Sequence, residues 1–234
     1  MSGTTQLPLD LGHRPALGRE DFLLAPCNEV AVAWIDRWPD WSGVAMALHG
    51  PAACGKTHLC HVWRTLSGAV EITAAALAAD EPPELIGAAK AIALEDVDAA
   101  LATGRLAEER LLHLYNFLGE RGGHILLTAQ TPPARWPIDL PDLGSRLRAA
   151  TAVVMAPPDD ALIEAVLVKL FADRQLRADA GVVRFLTARM ERSFAAARSI
   201  VAAMDSVALA DRREITVPLA RQVLAEQPPM TAGT

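Results

Sequence analysis

Several things are scarce in this 234-residue chain. It has three lysines (Lys56, Lys90 and Lys169), and aromatic residues make up only 5%. The formal net charge is −6, with a pI of about 5.5, so no global positive field draws the chain to DNA or RNA. No apolar run approaches the ~20 residues that span a bilayer. A secretory signal and a polybasic patch are likewise missing, which predicts a cytoplasmic protein with no membrane partner. The three cysteines, Cys27, Cys54 and Cys60, lack metal-type spacing, and their odd number suggests reduced thiols. At this length the chain forms one large domain or two small ones.

Against this background one stretch stands out. Gly50-Pro51-Ala52-Ala53-Cys54-Gly55-Lys56-Thr57 fits G-x-x-x-x-G-K-[ST], the phosphate-binding P-loop. The apolar run Val44 to His49 before it reads as a buried parallel strand. Lys56 to Leu66 after it reads as a helix whose N-terminus faces an anion. The glycines allow close approach, Lys56 offers charge to the β- and γ-phosphates, and Thr57 offers a hydroxyl to Mg²⁺. Cys54 sits inside the loop, either as an oxidation-sensitive thiol or as an inert small residue, the second being the simpler reading.

Before the P-loop, Asn28 is a candidate N-cap for a helix reaching Trp38. Beyond it, Ala91-Ile92-Ala93-Leu94-Glu95-Asp96 is an apolar strand ending in two acids, the Walker B pattern. Such a strand delivers carboxylates where α/β sheets bind ligands. Glu95 is expected to hold Mg²⁺ through water and Asp96 to orient the attacking water. Asp98 reads as a solvated turn residue. Glu108 to Glu120 is an amphipathic helix, and His124 to Ala129 is another strand. Thr128 at its tip is the first candidate to sense the γ-phosphate, with Gln130 second. Residues 134–150 read as an irregular connection carrying Arg146 and Arg148. Strands alternating with helices predict an α/β fold with a parallel sheet over residues 21–157. After Pro157-Pro158 the pattern turns wholly helical, giving an all-α lid over 158–228 and a tail at 229–234. The charges of this lid balance, which does not favour DNA.

Residues 1–20 read as a flexible tail. Within it, Gln6-Leu7-Pro8-Leu9-Asp10-Leu11 places three leucines at alternate positions of an extended segment. The stretch resembles the bacterial sliding-clamp binding motif, in which Gln6 offers its amide and Leu7, Leu9 and Leu11 are the anchors.

Taken together, these features resemble the AAA+ ATPases, and within them the DnaA/Hda family. The likeness spans about residues 22–227. Gly55-Lys56-Thr57-His58-Leu59 resembles the Walker A helix of DnaA proteins, Asn28 falls where they read the adenine, and Leu126 to Gln130 resembles their sensor 1 strand. Ser145-Arg146-Leu147 falls at their arginine-finger box. The N-terminal motif, together with a chain that stops before a helix-turn-helix domain, resembles the Hda-type regulators. The resemblance implies ADP or ATP with Mg²⁺ as cofactors, and DnaA and the DNA-loaded clamp (the DNA polymerase III beta subunit) as partners. Homo-oligomers are left open, and little or no direct DNA binding is expected. It also implies regulatory inactivation of DnaA: Arg146 acts in trans on ATP held by a neighbouring DnaA. Ala195 stands where such proteins carry the sensor 2 arginine, and Arg198, three residues on, is the substitute. Weak intrinsic ATPase activity is the consequence. Two rivals remain, a helicase-loader-type AAA+ ATPase and a P-loop small-molecule kinase.

Overall fold

The computed structural model describes residues 22–211 and 213–226. Gln6, Leu7, Leu9 and Leu11 of the clamp-like motif, and the tail at 229–234, lie outside the described residues.

The apolar runs become five parallel strands: β1 (Ala45–His49), β2 (Val70–Ile72), β3 (Ala91–Leu94), β4 (His124–Ala129) and β5 (Thr151–Val154). Their order across the sheet is β2-β3-β4-β1-β5. Every residue of β3 is buried, as is all of β1 except His49. Burial of both faces explains why these strands read as continuous apolar runs rather than alternating ones. The edge strand β5 does alternate.

Alternate residues along the strands feed two separate cores. Met46, Leu48 and Leu126 pack with α1 (Glu29–Asp36) and α2 (Lys56–Ser67). Ala47, Leu94 and Leu127 face the other way. There they meet α3 (Ala74–Ala79), α4 (Pro82–Ile86), α5 (Val97–Ala102), α6 (Glu108–Glu120) and α7 (Pro141–Ala149). The first core holds a tryptophan group. Trp63 of α2 stacks on Trp41 at 5.2 Å and 13°, and Trp38 meets it edge-on. Such offset and edge contacts add to the area these rings bury.

The lid comprises α8 (Asp160–Asp173), α9 (Ala180–Thr187), α10 (Phe194–Asp211) and α11 (Val217–Glu226). Asp159 and Asp179 cap the first two by accepting from Leu162 N and Val182 N, both at 2.8 Å. Ile163, Leu167, Phe171, Leu186, Ile200 and Met204 form the lid's own core. None of the helices among the described residues is long and apolar enough to cross a membrane.

The segment expected to be irregular over 134–150 contains a regular helix, α7. Pro141 sits at its first turn, where a missing N–H costs nothing. α1 ends at Asp36 rather than Trp38. Asn28 does precede α1, yet its side chain makes no capping bond. The amide instead accepts from Ala25 N and donates to Leu23 O, both at 2.9 Å, closing the preceding loop.

Two histidines flank the central strands. Burial holds His49 and His124 below their ordinary value of 6.5, and nearby Lys56 adds to the effect at His49. The unfolded chain therefore takes up protons that the folded chain refuses. Their stabilising contribution is complete above pH 6.5 and is lost as the pH falls below it. Thermal unfolding followed against pH should show Tm falling below that value. The decline should be shallower in a His49→Gln/His124→Gln variant.

Candidate nucleotide site

Strand order builds the site. β4 lies between β1 and β3, so its tip is flanked by the P-loop on one side and by Glu95-Asp96 on the other. All three open at the C-terminal edge of the sheet, the usual ligand edge of α/β folds. A cavity of about 310 Å³ lies there, within the range of small-molecule sites. Ala52, Ala53, Gly55, Lys56, Thr57 and His58 form one wall, Asp96 and Gln130 another, and Phe194 and Arg198 of the lid close it.

The P-loop glycines are sterically required. A Cβ on Gly50 would stand 2.1 Å from the Met155 carbonyl oxygen. Gly55 has φ 103°, and a Cβ there would lie 2.9 Å from the Phe194 ring. Lys56 is 7% exposed. Its Nζ donates to the carbonyls of Gly50 and Pro51, each at 2.8 Å. The loop is thereby drawn around a fixed positive charge. No side chain caps the N-terminus of α2, leaving its first N–H groups to an anion. Cys54 is buried under the loop and burial raises its pKa, so it is the inert small residue and not a reactive thiol.

Thr57 Oγ1 donates to Glu95 Oε2 at 2.7 Å, across 38 positions of sequence. A hydroxyl and a carboxylate held this close can share one hard cation. Mg²⁺ needs few protein ligands when phosphates supply the rest. The residues therefore fit a magnesium nucleotide. Asp96 is exposed beside the cavity in a left-handed conformation, φ 54° and ψ 43°.

Two expected site residues are placed differently. Thr128 is only 1% exposed and accepts a hydrogen bond from Asp96 N at 3.1 Å. It supports the turn at Asp96 after β3 and does not line the cavity, whereas Gln130 does. Two positions along a strand would share a face, but β4 ends at Ala129, so Gln130 lies past the strand and turns to the cavity while Thr128 stays packed within it. Asn28 is 2% exposed with both ends of its amide bound to backbone, so it shapes the loop at 23–28 and offers no lining group. Asp98 is no solvated turn residue: its carboxylate accepts from Gln130 N, Thr131 N and Thr131 Oγ1. Arg198 joins the cavity wall from α10, one turn after Phe194. Phe194 was not anticipated, since an apolar residue opening a helix reads as core.

Arg146 stands apart from this cavity, on α7. Its Nε and Nη2 donate to the Asp142 carboxylate at 2.8 and 3.2 Å, and its guanidinium lies over the Tyr115 ring at 5.5 Å. The side chain is 39% exposed. Asp142 takes two of the five guanidinium N–H groups, leaving three that bond to no described residue. Arg148 folds back over Gly144 of its own helix.

Comparison with known proteins agrees with this arrangement. Residues 160–224 match the family model described as Hda, lid domain. The chain is 25% identical to the chromosomal replication initiator protein DnaA of Thermomicrobium roseum, over 92% of its own length. It spans half the length of that relative. Among solved structures, domain III of Thermotoga maritima DnaA superposes with a TM-score of 0.78 at 16% identity, covering 91% of this chain and 97% of that one. AMPPCP-bound DnaA from Aquifex aeolicus gives 0.66 at 15% identity, over 83% and 65%. The fold is that of an AAA+ module with a helical lid.

Proposed function

We propose that this chain, a DnaA-related AAA+ protein with an Hda-type lid, is a cytoplasmic negative regulator of replication initiation. Its N-terminal Gln6, Leu7, Leu9 and Leu11 dock on the DNA-loaded sliding clamp. Arg146 is then brought to ATP held by a neighbouring DnaA molecule. A guanidinium delivered in trans offsets charge developing on the transferring phosphoryl group. The resulting ADP form of DnaA does not restart replication.

The observation that carries this reading is the position of Arg146. It is half-exposed, outside its own cavity, held by Asp142 and still able to donate three hydrogen bonds. An arginine meant for its own nucleotide would line that cavity, as Arg198 does.

The chain's own ADP or ATP is held by Lys56, Thr57 and the loop backbone, and Glu95 with Thr57 holds Mg²⁺. Arg198 takes the sensor 2 place that Ala195 leaves empty. A magnesium nucleotide bound in the cavity would supply negative charge for Lys56 and Arg198 to meet. Intrinsic hydrolysis is weak, and the main activity is exerted on DnaA. The magnesium-nucleotide fit draws support from relatives described as AMPPCP-bound DnaA.

Reconstitution tests the reading. ATP-loaded DnaA, clamp on DNA and this protein are mixed, and ADP formation is followed. Turnover should need all three, and should fall toward baseline when the clamp is omitted or Gln6→Ala is used. Turnover indifferent to the clamp would overturn the docking role. ADP formation without DnaA but with a small acceptor would mark a kinase, and capture by helicase in place of clamp a helicase loader.

A further inference from the structure

We propose that Asp98 is a positioning residue that sets Gln130 against the terminal phosphate, and so lets the cavity distinguish a triphosphate from a diphosphate. The proposal rests on the nucleotide reading of the cavity given above.

The need for such a residue follows from the sheet register. The β3–β4 ladder ends at the pair Leu94↔Leu127. Beyond it, Asp96 and Gln130 both reach the cavity with no backbone ladder between their segments. Two side chains replace the ladder. Thr128 Oγ1 accepts from Asp96 N at 3.1 Å. In the opposite direction, Asp98 Oδ2 accepts from Gln130 N at 3.0 Å and from Thr131 N and Oγ1, each at 2.9 Å. Asp98 Oδ1 accepts from Ala99 N at 3.0 Å, which fixes the carboxylate on α5.

Bonds to a carboxylate are stronger than those between neutral groups. With three donors on one oxygen, Asp98 is occupied as a structural acceptor and is not itself a lining group. Its hold on the backbone of residue 130 fixes where the Gln130 side chain leaves the strand tip. The Thr57–Glu95 pair marks the cation end of the cavity. Thr57 and Glu95 would hold the cation there, and Asp96 and Gln130, lining the same cavity, would be the groups to meet the last phosphate of a triphosphate. A diphosphate would lack that group.

The experiment is a titration of the full chain with ATP and with ADP, both with Mg²⁺. It compares the unaltered protein with Asp98→Ala, Gln130→Ala and the double variant. Each single change should lower ATP affinity about tenfold, the value of one charge-assisted hydrogen-bonded contact. ADP affinity should stay within about twofold, and the double variant should be no worse than either single, because the two act as one unit. Thr131→Val, which removes one donor and leaves the backbone bonds, should give a smaller loss of ATP preference. It provides the readout if Asp98→Ala does not fold. Equal losses for ATP and ADP, additive losses in the double variant, or an unchanged ATP-to-ADP ratio would overturn the positioning role alone. If the unaltered protein bound neither nucleotide, the reading of the cavity would fall, and this proposal with it.

Discussion

Arg146→Ala is expected to remove at least about a thousandfold of DnaA-dependent ATP turnover, the lower end of what arginine fingers supply. The measurement is ADP formation in the reconstituted system with DnaA and DNA-loaded clamp. Folding should be untouched, because the Arg146–Asp142 pair is exposed and such pairs contribute little. The variant's own nucleotide affinity should also be unchanged, since Arg146 lines no part of the cavity. Arg146→Lys should rescue little, because an ammonium cannot present the planar fork. Arg148→Ala serves as the control: its guanidinium lies back over Gly144 on the same helix, and the variant should keep most of the activity. Full turnover by Arg146→Ala would remove the finger from the account.

Lys56→Ala should cost on the order of a hundredfold or more in affinity for ADP and ATP, read by titration with a fluorescent nucleotide. Two effects combine. The side chain is the buried cation nearest the loop, and its amine holds the loop closed through the Gly50 and Pro51 carbonyls. Without it the Gly50 carbonyl loses a charged donor in a buried setting, which costs about 1–3 kcal/mol of stability. The variant should therefore show a lowered Tm even with no nucleotide present. Unchanged nucleotide affinity would sink the P-loop reading, whatever happened to stability.

Much of this architecture was legible in local pattern. The β1, β3 and β4 strands and the α6 helix follow directly from apolar runs and helical periodicity, and the Thr57–Glu95 encounter follows from two motifs that each imply a strand tip. What local pattern did not reveal has physical causes. Pro137 and Pro141 make 134–150 read as irregular, yet Pro141 starts α7, and Gly144 within that helix gives Arg148 room to fold back. Thr128 and Gln130 differ in exposure because of strand geometry that depends on where β4 ends. The partners of Asp98 lie 32 and 33 positions away, so nothing near it in sequence announces the contact. The role of Phe194 depends on how the lid meets the sheet, which no motif encodes.

The stacked pair Trp41 and Trp63 has a practical consequence. Trp63 belongs to α2, the same rigid rod whose first residues are Lys56 and Thr57. Trp41 belongs to the segment before β1. A tilt of that rod on phosphate binding would change the overlap of the two indoles, to which intrinsic emission responds. Tryptophan emission is therefore the expected label-free readout of a nucleotide titration, and emission unchanged across it would show that the stack does not move.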